Sequence, residues 1–127
     1  RFVVICVDFD GTCVTNEYPE IGKDVPNCIE VLKKLNEKKV NIILLTQRDG
    51  KKLTDAVEWF KKNDIKLYGI NDNPSQSSWS KSRKVYADLY IDDRNLGCPI
   101  TLHRSLSDKV FVDWKKVEKM LKEMRVL

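Results

Sequence analysis

The chain has 127 residues, 42% of them hydrophobic and 33% charged, with a formal net charge of +4. That length supports one core and leaves no room for a second, so residues 1–127 are expected to form a single soluble domain. No stretch approaches the roughly 18 apolar residues of a membrane span, and nothing reads as a signal peptide.

The positive balance mildly favours an anionic partner, but the lysines are spread along helical faces, so nucleic acid is not required. Cys6, Cys13, Cys28 and Cys98 show neither metal-ligand spacing nor the density of a disulfide framework. A reducing, cytoplasmic compartment is therefore expected.

Val3 to Thr12 reads Val-Val-Ile-Cys-Val-Asp-Phe-Asp-Gly-Thr. A β-branched run this short suits a strand buried on both faces of a parallel sheet. It stops at Asp8 and Asp10, two like charges that repel unless a cation or a shared proton relieves them. Mg²⁺, which takes hard oxygen ligands from carboxylates and phosphate, would do so. Gly11 lets the chain turn tightly, and Thr12 can cap or line that turn. A calcium loop of the EF-hand type fits less well, because it needs further oxygen ligands and a Glu at position 12, which counted from Asp8 is Pro19.

An irregular flap is expected over 17–25, and then Asn27, with Glu30 as capping-box partner, opens a helix that ends near Lys38. Ile29, Leu32 and Leu35 form its apolar face. Val40 to Leu45 is a second strand ending in Thr46-Gln47-Arg48, where Arg48 either forks onto a phosphate or sits at the surface of the next turn. Leu53, Ala56, Val57 and Phe60 carry a second helix, and a third strand is expected over 65–70.

The polar stretch 71–82 lacks periodicity and reads as a long loop, with Asn71, Asn73 and Trp79 as candidates for specificity. Leu89-Tyr90-Ile91 is a fourth strand, and it ends at once in Asp92-Asp93. Adjacent acids there are uncommon as packing, since both need partners. A short fifth strand over 100–102 and a final helix capped by Asp113, over 114–124, complete the chain, with His103 expected to be structural or exposed. Alternating strands and helices give an α/β fold: a three-layer sandwich around a mostly parallel, Rossmann-like sheet.

Asp8-Phe9-Asp10-Gly11-Thr12, Thr46, Lys84 and Asp92-Asp93 occur in the order of the four motifs of the haloacid-dehalogenase-like (HAD) superfamily, mostly phosphatases, which the chain resembles over about residues 3–95. The resemblance implies a Mg²⁺-dependent phosphomonoester hydrolase in which Asp8 is the nucleophile that becomes an aspartyl-phosphate and Asp10 is the general acid and base. It further implies that Thr46 and Lys84 hold phosphoryl oxygens, that Gly11, Thr12, Gln47 and Arg48 line the substrate site, and that Asp8, Asp10 (through its carbonyl), Asp93 and Asp92 surround the metal, Asp93 the direct ligand. Val85 stands where many small relatives carry Pro after the motif Lys, and Lys81 and Arg83 are neighbouring candidates for the Lys84 role.

Neither interval between motifs is long enough for a cap domain. An open site implies a phosphorylated substrate of any size, macromolecules included, or a lid borrowed from a neighbouring subunit in a homo-oligomer. Three rivals remain at this stage: a receiver domain, whose order of acids differs; a non-catalytic HAD-like binding or regulatory domain; and a polynucleotide-end phosphatase. Asp92-Asp93-Arg94 suits the last, but the sequence shows no aromatic-basic stacking platform.

Overall fold

In the computed structural model, which describes residues 2–127, four parallel strands lie in the order β3-β2-β1-β4. These are β1 (Val4–Val7), β2 (Asn41–Leu44), β3 (Gly69–Ile70) and β4 (Leu89–Ile91). Every residue of β1 is buried, as its central position requires. The fold is α/β with a Rossmann-like, three-layer arrangement.

The pleat sorts side chains between two layers of different build. Ile5 and Val7 of β1 join Ile42 and Leu44 of β2 in a large core with the buried faces of α1 (Cys28–Glu37), α2 (Gly50–Lys62) and α3 (Trp114–Glu123). Val4, Cys6 and Ile43 point the other way, where among the described residues no α-helix packs against them. Ala87, Val85, Tyr68 and Tyr90 do so instead.

Gln76, in a short 3₁₀ turn (Gln76–Ser78), fastens that second layer. It donates to the carbonyls of Ser82 and Lys84 and accepts from the amide of Tyr86. Asn73 donates to the Tyr86 carbonyl. The polar stretch is thus an ordered covering layer whose buried amides replace apolar packing. Trp79 stays largely exposed, edge-on to Tyr86 at 5.6 Å.

Other local expectations need correction. Asn27 sits at the start of α1 with φ of 68° and no capping hydrogen bond from its side chain, so the capping box with Glu30 does not form. β3 is shorter than expected, because Asp64 adopts a left-handed turn and the amide of Ile65 bonds back to the Phe60 carbonyl. The fifth strand (β5, Ile100–Thr101) leaves the main sheet and pairs antiparallel with β6 (Phe111–Val112), which the sequence pattern did not reveal. Asp113 does cap α3, accepting from the amide of Lys116 at 3.2 Å.

Chain order places the site. The chain builds outward from β1 to β2 and β3, then returns to add β4 on the other side of β1. In open parallel sheets the loops diverge at such a switch point and leave a crevice beyond the carboxyl ends of the strands. Asp8 follows β1 and Asp92-Asp93 follow β4, so the acids from both ends of the sequence flank that crevice.

Candidate active site

Asp8, Asp92 and Asp93 each present a carboxylate oxygen, all within 4.8 Å of one another. Thr12, fully buried, ties two of them together: its hydroxyl lies 3.1 Å from Asp8 Oδ2 and 3.3 Å from Asp93 Oδ1, and its oxygen accepts from the Asp93 amide. Gly11 makes the approach of Asp93 feasible. Its φ is +82°, and a Cβ there would stand 2.6 Å from Asp93 Oδ2.

The loop is braced from the distant end of the chain. Val112 donates its amide to the Gly11 carbonyl, and the indole of Trp114 donates to the Thr12 carbonyl at 2.7 Å. Trp114 was not among the residues expected at the site. Its one available signal was chemical, since a buried Trp N–H needs an acceptor.

Gathering three acids in one place has an electrostatic consequence. The Asp8 carboxyl is pushed up to about 8, by burial first, then by the charge of Asp92 and the hydrogen bond with Asp93. Burial also raises Asp93, and the Asp92 charge adds to this, while hydrogen bonds from Asp8 and Thr12 act in the opposite direction. Three oxygen donors this close together form a group that could hold a metal ion.

Asp10, only two residues from Asp8, has a different fate. Arg48 is buried and grips it with two bonds of 2.8 Å, Nε to Oδ2 and Nη2 to Oδ1. The other three guanidinium N–H groups go to the carbonyls of Pro19, Lys52 and Glu20. The guanidinium also lies 5.1 Å from the Phe9 ring centroid and 5.2 Å from that of Tyr18. All five donors are engaged.

The expected substrate-binding residues therefore divide. Arg48 has no donor left for a phosphate, and it is not at the surface either. Thr12 is enclosed and acts by holding Asp8 and Asp93. The amide of Gly11 is taken by the Val14 carbonyl at 2.7 Å. The Asp10 carboxylate faces Arg48 and stands outside the group of three acids.

Gln47 and Lys84 do line the same cleft as Asp8, a depression of about 910 Å³. Lys84 is exposed, its ammonium 5.5 Å from the Tyr90 ring centroid. Arg83 borders the cleft beside it. Thr46 follows β2, its amide donating to Asn71 Oδ1 and its hydroxyl oxygen accepting from the Arg48 amide. Asn71 and Asn73 have structural roles here.

A solved structure, that of a conserved protein coded by a locus of Bacteroides thetaiotaomicron, matches this fold with a TM-score of 0.79 and 36% sequence identity, over 98% of this chain and 93% of that one. The chain belongs to the family of that protein. Likeness over nearly the whole of both chains means that the fold of the Bacteroides relative includes the carboxyl-terminal segment that braces the site here. No protein-family model and no curated protein matches the chain. Among the described residues, no helix is long and apolar enough to cross a membrane.

Proposed function

We propose that the chain is a Mg²⁺-dependent phosphomonoester hydrolase of the HAD type. The observation that carries this reading is the convergence of Asp8, Asp92 and Asp93 at the switch point, where burial and mutual repulsion leave them in need of a cation. Mg²⁺ would be held by Asp8, Asp93 and the Asp10 carbonyl with Asp92 alongside, and when bound it supplies charge neutralisation for phosphoryl oxygens.

Asp8 attacks phosphorus through one carboxylate oxygen, the bond to the leaving oxygen breaks, and an aspartyl-phosphate forms. Water then attacks that phosphorus and releases phosphate with Asp8 restored. Asp10 is the group to give a proton to the leaving oxygen and to take one from the water. Thr46 and Lys84 hold phosphoryl oxygens, and Gln47 borders the entrance. Thr12 fixes the rotamer of Asp8 from behind.

The direct test is hydrolysis of p-nitrophenyl phosphate with and without Mg²⁺. Turnover that requires the cation and disappears in Asp8→Asn is expected. Equal activity in that variant would place the nucleophile elsewhere.

One observation favours a second reading, a HAD-like domain that binds the cation and phosphate without turning over. Both oxygens of Asp10 are occupied by Arg48, and the acid/base step needs one of them. Mg²⁺ binding with no hydrolysis of any member of a broad phosphate panel would decide for it.

A further inference from the structure

Between Asn73 and Ala87 the chain carries three basic residues, Lys81, Arg83 and Lys84, and no acidic one. All three are exposed, and among the described residues none of their charged groups pairs with a carboxylate. The same segment presents an aromatic pair that sequence spacing conceals, because only the fold brings the rings of Trp79 and Tyr86 to 5.6 Å. Trp79 is 62% exposed, whereas Trp59 and Trp114 are buried.

This loop is held in place by one buried residue. The Gln76 carbonyl accepts from the amides of Trp79 and Ser80, and its side chain meets the carbonyls of Ser82 and Lys84 and the amide of Tyr86. The indole and the three cations thus hang on a single glutamine. Tyr86 is fixed at a second point, its hydroxyl donating to Asp88 Oδ1 at 3.1 Å. Asp88 also accepts the Val4 amide at 2.8 Å, so the acid that follows the loop is engaged by the fold.

An exposed indole on a fixed loop, with cations that lack partners beside it, suits a ligand that offers planar rings and negative charge together. A loop already ordered loses little entropy when a ring stacks on it. An acidic peptide would meet the cations and leave the indole bare. A second copy of the chain would bring Lys81, Arg83 and Lys84 toward their own counterparts in an isologous contact. A membrane surface calls for several apolar residues, and the neighbours of Trp79 are Ser77, Ser78, Ser80 and Ser82. Duplex bases are stacked on one another, and those of a single strand are open to an aromatic side chain.

We infer that the loop 76–86 is a binding surface for single-stranded nucleic acid, one base stacking on Trp79 and the phosphates beside it meeting Lys81 and Arg83. This goes beyond the phosphatase reading and stands or falls without it.

The experiment follows the anisotropy of a fluorescein-labelled single strand of about twelve nucleotides, as DNA and as RNA, titrated with the chain over a range of salt concentrations. The matching duplex, polyglutamate and phosphatidylserine vesicles are the comparisons, and sedimentation gives the oligomeric state. Trp79→Ala, Trp79→Phe and the double variant Lys81→Gln with Arg83→Gln are tested beside the unaltered chain, with folding checked by circular dichroism.

The single strand, as DNA or RNA, is expected to bind more tightly than the duplex, with about a tenfold loss in Trp79→Ala and most of the affinity kept in Trp79→Phe. The double variant should flatten the slope of log affinity against log salt by about 1.4, or roughly 0.7 for each cation removed. Tryptophan emission should fall on binding in the unaltered chain and not in Trp79→Phe, since the other two indoles are buried. Unchanged affinity in Trp79→Ala overturns the inference, as does duplex or polyglutamate bound as tightly as the single strand. Vesicle binding or a dimer that Trp79→Ala abolishes would give the loop to a membrane or to a second copy, and either overturns it. Should Trp79→Ala fail to fold, the emission change and the salt slope decide, and absence of either one overturns the inference.

Discussion

Asp8 and Asp10 leave the same strand two residues apart, yet one side of the motif is complete and the other is not. Asp10 meets a guanidinium whose five donors are all accepted by protein oxygens. The Asp8 carboxyl meets two more acids, beside the Thr12 hydroxyl and the Phe9 amide. The lesson is that charge satisfied within the chain builds structure, and acids crowded together at a crevice are the place to test for a cation.

The structural half of this contrast breaks most severely at Arg48. Arg48→Met leaves Asp10 beside an emptied ionic slot with limited access to water, and a loss of about 3 kcal/mol in urea-unfolding free energy is expected. Adding Asp10→Asn should recover part of the loss. An unchanged stability would mean that the pair is not formed in solution.

A smaller effect is expected where the two halves are braced together. Trp114→Phe removes the N–H that satisfies the Thr12 carbonyl, and a cost of about 1–3 kcal/mol should appear in the same assay. The expected side effect is weaker Mg²⁺ binding, since the loop carrying Asp8 and Thr12 loosens.

On the unsatisfied side, pH sharpens the contrast. The folded Asp8 carboxyl titrates at about 8, far above its ordinary value of 3.8, so without a cation its protonated form stabilises the fold at low pH and that contribution is lost as pH rises through about 8. A cation must displace the same proton. Mg²⁺ affinity should therefore climb with pH, by at most about tenfold per unit, and level off above the folded value. Calorimetric titration from pH 5 to 9 measures this.

The smallest effect is expected for Asp92→Asn. Removing one repelling charge should raise the thermal midpoint of the metal-free protein slightly, by less than about 1 kcal/mol in stability, while reducing the gain on adding Mg²⁺. A fall in the metal-free midpoint would contradict the repulsion described for the three acids.

These two halves were not equally readable in the sequence. β1, β2 and β4 announce themselves as short apolar runs that end in polar residues, and Asp8, Asp92 and Asp93 stand at those ends, so their convergence follows from parallel strand order alone. The Arg48–Asp10 pair lacked any local signal, because a side chain 38 residues away turns inward to meet flap carbonyls that belong to no regular element. Asn27 reads as a cap by residue type, yet its backbone takes a left-handed conformation that prevents capping. The layer over Val4 and Cys6 was hidden for another reason. It is held by the amides of Gln76 and Asn73, and a buried glutamine leaves no hydrophobic periodicity to read.

The most direct test of the account is binding of Mn²⁺, as a paramagnetic stand-in for Mg²⁺, to the unaltered chain and to Asp93→Asn. One ion taken up per chain, displaced by Mg²⁺ and lost in the variant, is the predicted result. Equal uptake by both proteins would contradict the claim that acids from the two ends of the sequence share one cation.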